Sequence, residues 1–239
     1  MTGFDLSGKT ILLTGAMGGI GRATAQALIH QGARVILCDA TAPDTQFIAS
    51  LGERASGERC DVTDRAAIKA LAARHPHVDG LVLNAGILPF DDWMADDWDG
   101  AFDKVMSVNV KGLLNFARVF MPPMIERKSG SIVVVGSASG RMGGMQAGPH
   151  YVASKGAAHA LVRWLALRGA PHGVVVNGVA PGSVDTAMLA GKPFTADKVP
   201  AGRMALAEEV AWPIAFLCSP GAGFMCGAIL DVNGGLVFS

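Results

Sequence analysis

The stretch Thr10-Ile-Leu-Leu-Thr-Gly15-Ala-Met-Gly-Gly-Ile20-Gly21-Arg-Ala-Thr-Ala25 decides the fold. Thr10–Leu13 is an apolar run of strand length, and from Gly21 to Gln31 the pattern is that of a helix. Between them lies a turn with the spacing Gly15-x-x-x-Gly19-x-Gly21. Glycines in this context let the backbone turn tightly and approach a pyrophosphate, while the helix start offers free N–H groups and its positive dipole end. The spacing differs from the commoner G-x-G-x-x-G fingerprint. The alternative is a tight turn and nothing more.

Outward from that turn, strand and helix patterns alternate. Short apolar runs recur at Val35–Cys38, Leu81–Leu83, Ile132–Val135, Val174–Val176 and Ile229–Val232, mostly without period-two alternation, as expected of strands covered on both faces. Helix-like stretches fall at Asp64–Arg74, about Asp97–Met121, Tyr151–Arg168 and Ala207–Cys218. Such alternation predicts an α/β fold: a single-domain, Rossmann-like, doubly wound parallel sheet over residues 1–239, with helices on both faces and right-handed crossovers. The Gly-, Pro- and Ala-rich segment Gly182–Met204 reads as a mobile loop.

Composition narrows the function classes. Half of the 239 residues are hydrophobic, 17% are charged and the formal net charge is zero, so no field gathers nucleic acid or an anionic membrane. The opening residues lack the layout of a secretory signal, and no apolar run approaches the ~20 residues needed to span a bilayer. Cys38, Cys60, Cys218 and Cys226 are isolated, which argues against a metal cluster and for reduced thiols in the cytoplasm.

Two further features carry chemistry. Asp39 ends the second strand, 24 positions beyond Gly15. An acidic group there can accept hydrogen bonds from an adenosine ribose diol and would repel a 2′-phosphate. With no Arg or Lys in the glycine turn or between Asp39 and Gln46, the expectation is NAD rather than NADP; otherwise Asp39 merely begins a turn. Tyr151 and Lys155 stand four apart, one turn above each other on one helix face. An ammonium beside a phenol favours the phenolate, but such pairs also arise by chance on solvated helices.

Together with Asn84-Ala-Gly86, Asn109 in Ser-Val-Asn-Val-Lys, a serine just past Ile132–Val135, Asn177-Gly-Val-Ala-Pro181-Gly182 and Asp231-Val-Asn-Gly-Gly235, these motifs resemble the short-chain dehydrogenase/reductase family from about Lys9 to Gly235. The resemblance implies that Tyr151 is the general acid/base at the substrate oxygen and that Lys155 lowers its pKa and bonds the nicotinamide ribose. It implies that Asn109 holds a water on a proton path and that a serine positions the substrate oxygen. For NAD it implies contacts from Gly15, Met17, Gly19, Ile20, Gly21, Asp39, Asp61, Val62, Asn84, Ala85, Gly86, Tyr151, Lys155, Pro181, Gly182, Val184 and Thr186. It also implies a homotetramer or dimer and a substrate loop, short for the family, at about 183–204.

The chain departs from the family pattern in two places. The family's serine usually lies 13 positions before the tyrosine, and here that residue is Ala138; Ser137, 14 before, fits better if the loop Arg141–Pro149 holds one extra residue, with Ser139 as the alternative. Leu83 replaces a common second asparagine. Asp91, Asp92, Asp96, Asp97 and Asp99 read as residues that cap and solvate a helix start, and His150 as a surface or loop histidine, with a place beside the substrate site as the alternative. Ile87, Leu88, Phe90, Met142, Met145, Met188, Leu189 and Phe194 are the candidate pocket residues, all apolar, with Lys192 exposed nearby. They point to an uncharged, apolar, cyclic or aromatic secondary alcohol or ketone. An NADPH-dependent 3-oxoacyl-carrier-protein reductase is the alternative enzyme, and a non-catalytic NAD-binding sensor the alternative from another class.

Overall fold

A computed structural model describes residues 3–144, 146–192 and 196–238. Seven strands, β1 (Thr10–Thr14), β2 (Arg34–Asp39), β3 (Ala55–Arg59), β4 (Gly80–Leu83), β5 (Gly130–Val135), β6 (Val174–Pro181) and β7 (Ile229–Val232), form one sheet in the order β3-β2-β1-β4-β5-β6-β7. Every pairing is parallel. The order reverses between β1 and β4, which opens a crevice beyond the carboxyl ends of the strands.

The central strands carry apolar side chains on both faces because helices cover both. Leu12, Ile132 and Val134 point to one side, where they meet Ile68 and Leu71 of α3 (Arg65–Arg74), Phe116, Phe120 and Met124 of α5 (Leu113–Glu126), and Val162 and Leu165 of α7 (Pro149–Gly169). Ile11, Leu13, Val133 and Val135 point to the other, against Leu28 of α1 (Gly19–His30) and Val210, Ile214 and Leu217 of α8 (Ala207–Cys218). Alternation within each strand thus builds two cores at once.

Three elements differ from expectation. A short α2 (Thr45–Ser50), capped by Asp44, and the edge strand β3 are present although no apolar pattern announces them; β3 reads Ala-Ser-Gly-Glu-Arg and is largely exposed. The helix expected over Asp97–Met121 is instead α4 (Trp98–Met106), a π-helical turn at Ser107–Gly112, and α5. The segment 183–204 is stitched at its ends: Asp185 N–H donates to the Ala205 carbonyl and Ala205 N–H to that of Ser183, each at 2.9 Å. Among the described residues, no helix is long and apolar enough to cross a membrane and no group of three His, Cys, Asp or Glu could hold a metal.

Candidate active site

One cleft of about 600 Å³ opens at the crevice, and it is lined by every residue expected to contact the cofactor, together with Ser137. Its cofactor half is built by close backbone approach. Gly15 has φ +63°, and a Cβ there would lie 2.8 Å from Ala85 Cα. A Cβ on Gly21 would lie 2.2 Å from the Gly15 carbonyl oxygen. Asn84 ties the turn to β4, its Nδ2 donating to the Thr14 and Gly15 carbonyls at 3.1 and 2.9 Å. The N-cap of α1, Gly18, supplies no side-chain cap and the first turn no acidic group, so the first N–H groups of α1 are open to an anion. The glycine cradle and these open donors fit a dinucleotide pyrophosphate.

Asp39 sits at the cleft rim, where Oδ2 accepts from Met17 N–H and Oδ1 from Thr41 N–H and Oγ1, all at 3.0 Å. Arg22, which the sequence reading passed over, lies close to this turn. Its Nε donates to the Met17 carbonyl at 3.1 Å, but its Nη2 is paired with Asp44 at 2.7 Å and its guanidinium lies over Phe47.

The other half of the cleft gathers the expected chemical groups. Tyr151 and Lys155 are both buried on α7. Lys155 Nζ donates to the Val135 carbonyl at 3.0 Å and lies 5.6 Å from the centre of the Tyr151 ring. Burial pushes the ammonium down to about 8. Burial also raises the phenol above its ordinary value, and its hydrogen bond with Ser137 works against that shift. Both groups sit in a dry site where desolvation dominates.

Asn109 points inward from the π-helical turn, a distortion often found where a side chain must be re-aimed. Its Oδ1 accepts from Ile87 N–H at 2.9 Å, and its Nδ2 donates to the Ile87 carbonyl and to Ser154 Oγ at 3.0 Å. Ser154 Oγ in turn donates to the Tyr151 carbonyl at 2.7 Å. A second cavity of about 10 Å³, at the lower limit for one water, is bounded by Asn109 and Lys155.

Past β5, Ser137 and Ser139 both line the cleft, and the Ser139 N–H donates to Ser137 Oγ at 3.1 Å. Ala138, at the usual serine position, is buried with its N–H on the Pro181 carbonyl. Sequence reasoning missed His159, whose Nε2 accepts from Ser137 N–H at 3.4 Å. Burial, and then the charges of Arg141 and Lys155, push this imidazole down to about 4. Its signal was legible: Tyr151, Lys155 and His159 recur every fourth residue on one helix face.

The short chain dehydrogenase family model matches residues 9–195. The chain belongs to the short-chain dehydrogenase/reductase family. It is an oxidoreductase, and the family binds a nicotinamide cofactor. Galactitol 2-dehydrogenase (L-tagatose-forming) of Cereibacter sphaeroides is 39% identical, over 98% of this chain and 97% of that protein. The 3-oxoacyl-acyl-carrier-protein reductase of Escherichia coli (strain K12) is 35% identical, over 97% and 98%. Among solved structures, a 3-oxoacyl-acyl-carrier-protein reductase from Brucella melitensis with bound NAD superposes with a TM-score of 0.90 at 31% identity, covering 99% of this chain and 94% of that one.

In this short-chain dehydrogenase/reductase, Ile87, Leu88, Met142, Met188 and Leu189 line the same cleft as Tyr151. Met145 and Phe194 lie outside the described residues. Phe90 is not part of the lining, and Lys192, exposed, holds its Nζ 4.6 Å from the centre of the Phe90 ring. Two readings of polar residues are corrected. Asp97 is the N-cap of α4 but makes no side-chain cap bond. His150 is fully buried rather than a loop residue, and Asp91 pairs with it at 3.0 Å instead of capping a helix.

Proposed function

We propose that this enzyme interconverts a secondary alcohol and a ketone, with NAD as the preferred cofactor and an uncharged, largely apolar cyclic or aromatic substrate. The observation that carries the reading is a single cleft lined by Tyr151, Ser137 and Lys155 together with the apolar Leu88, Met142, Met188 and Leu189. A bound nicotinamide supplies the hydride acceptor or donor. Tyr151 takes the proton from the alcohol oxygen or returns it to the ketone oxygen, and Ser137 bonds the same oxygen as its charge changes. Lys155 keeps a positive charge beside the phenol. Asn109, with the small cavity it shares with Lys155, supports a water-borne proton path from the lysine.

The preference for NAD rests on Asp39 at the rim, which opposes a 2′-phosphate, and on Arg22 being turned toward Asp44. The same charge argument weighs against an NADPH-dependent reductase of acyl-carrier-protein thioesters. A polyol such as galactitol would find few hydrogen-bonding partners along the apolar wall. The buried free thiols Cys38, Cys60 and Cys218 suit a reducing cytoplasm.

The test is a screen of 1-phenylethanol, cyclohexanol, galactitol and an acyl thioester with NAD(H) and NADP(H) in parallel. We expect turnover of the apolar alcohols with NAD. Turnover confined to the thioester with NADPH would replace this reading with the reductase. Tyr151→Phe should cut turnover by about 10²–10⁴-fold while NADH affinity stays within threefold; unchanged turnover would remove Tyr151 from the chemistry.

A further inference from the structure

His150 and Asp91 form a tie that catalysis by Tyr151 does not itself require. His150 occupies the first turn of α7, next to Tyr151, and is fully buried. Its Nδ1 accepts the Tyr151 N–H at 2.9 Å. While that bond stands Nδ1 is unprotonated, so Nε2 carries the proton and donates it to Asp91, whose Oδ1 and Oδ2 lie 3.0 and 3.4 Å away. Trp98, the first residue of α4, backs the ring at 5.3 Å between centroids. Gly148 leaves the ring its room, since a Cβ there would fall 2.6 Å from His150 Cε1.

Asp91 belongs to the loop between β4 and α4. The inner end of that loop is held by the double hydrogen bond between Ile87 and Asn109. The His150 tie holds its middle, at Asp91. Between the two anchors lie Leu88, on the cleft wall, and Phe90, under the Lys192 ammonium of the facing loop. A leucine or phenylalanine would fill the space under Trp98 without needing partners, whereas a buried imidazole is satisfied only when both ring nitrogens are met. The directional tie is therefore the feature that distinguishes His150 from an apolar filler.

We propose that His150 and Asp91 are positioning residues that fix the β4–α4 loop against the helix carrying Tyr151, and so set the width of the substrate end of the cleft. The proposal rests on the alcohol–ketone reading only for its kinetic readout. Three variants test it: Asp91→Ala, at a partly exposed position, His150→Phe, which keeps the packing, and His150→Gln, whose amide N–H can restore the bond to Asp91. In the NADH complex we expect amide exchange across residues 87–97 to quicken tenfold or more in Asp91→Ala and His150→Phe, with NADH affinity unchanged. With 1-phenylethanol and cyclohexanol, KM should rise about tenfold, kcat should move less than threefold, and discrimination between the two alcohols should shrink. His150→Gln should recover most of the loss. Wild-type exchange rates in both untied variants, or NADH affinity falling in step with KM, would overturn the tie. If neither alcohol is turned over, exchange alone decides, and the functional reading fails separately.

Discussion

Lys155 carries a charge in a place that disfavours charge. Its proton is held with a pKa of about 8 in the folded enzyme against 10.5 for an ordinary lysine, because burial strips the ammonium of water. Between those values the unfolded chain binds more protons than the folded one, so this residue's contribution to stability rises with pH across that window. Below pH 8 the full cost is present, about 3 kcal/mol. Lys155→Met removes that cost but leaves the Val135 carbonyl without its partner, a loss of about 1–2 kcal/mol. The variant should be inactive yet more stable by about 1–2 kcal/mol at pH 7. Urea unfolding at pH 7 and pH 10 checks this: the gain should vanish by pH 10, and a variant weaker than wild type at pH 7 would contradict the account.

Among the elements, the glycine turn and α1 have the least room for change. A methyl on Gly21 would meet the backbone of Gly15 and Ala16, which cannot rotate away. Gly21→Ala should therefore lower Tm by more than 5 °C and weaken NADH binding at least tenfold. Gly100→Ala, inside α4 with open space around it, should be neutral or mildly stabilising. Fluorescence titration and thermal melts of both variants would show the contrast, and equal effects would refute it. The turn was legible in the sequence because glycine spacing is a backbone constraint written one residue at a time. So were α7 and the buried strands, whose apolar runs are the direct imprint of two-sided cover. The π-helical turn at Asn109 was not, since one extra residue per turn leaves the apolar pattern of a long helix almost intact. Nor was the exchange of Asp91 from a solvated helix start to the His150 tie, because that pairing spans 59 residues and depends on how two loops pack.

At the scale of the whole molecule, apolar groups remain on the outside. Leu167 is 76% exposed and Trp164 47% on α7, while Phe224 and Phe238 are almost wholly exposed near β7. Trp164 and Leu167 stand three apart on one helix and so share a face, and an exposed apolar face suits self-association into a dimer or tetramer. Sedimentation equilibrium at micromolar concentration should give two or four times the chain mass, and Leu167→Glu should lower it. A monomeric wild type would remove the proposal.

The polar strand β3 has a consequence of its own. It ends the sheet opposite β7, with Glu58 bound to Arg74 at 2.7 Å and Arg59 Nε on the Ala40 carbonyl at 3.2 Å. Unpaired edge strands invite stray chains to add themselves, and a short edge dressed in opposite charges offers them little grip. The residues that hid β3 from an apolar reading thus help keep newly made copies of this enzyme from zipping together into insoluble deposits.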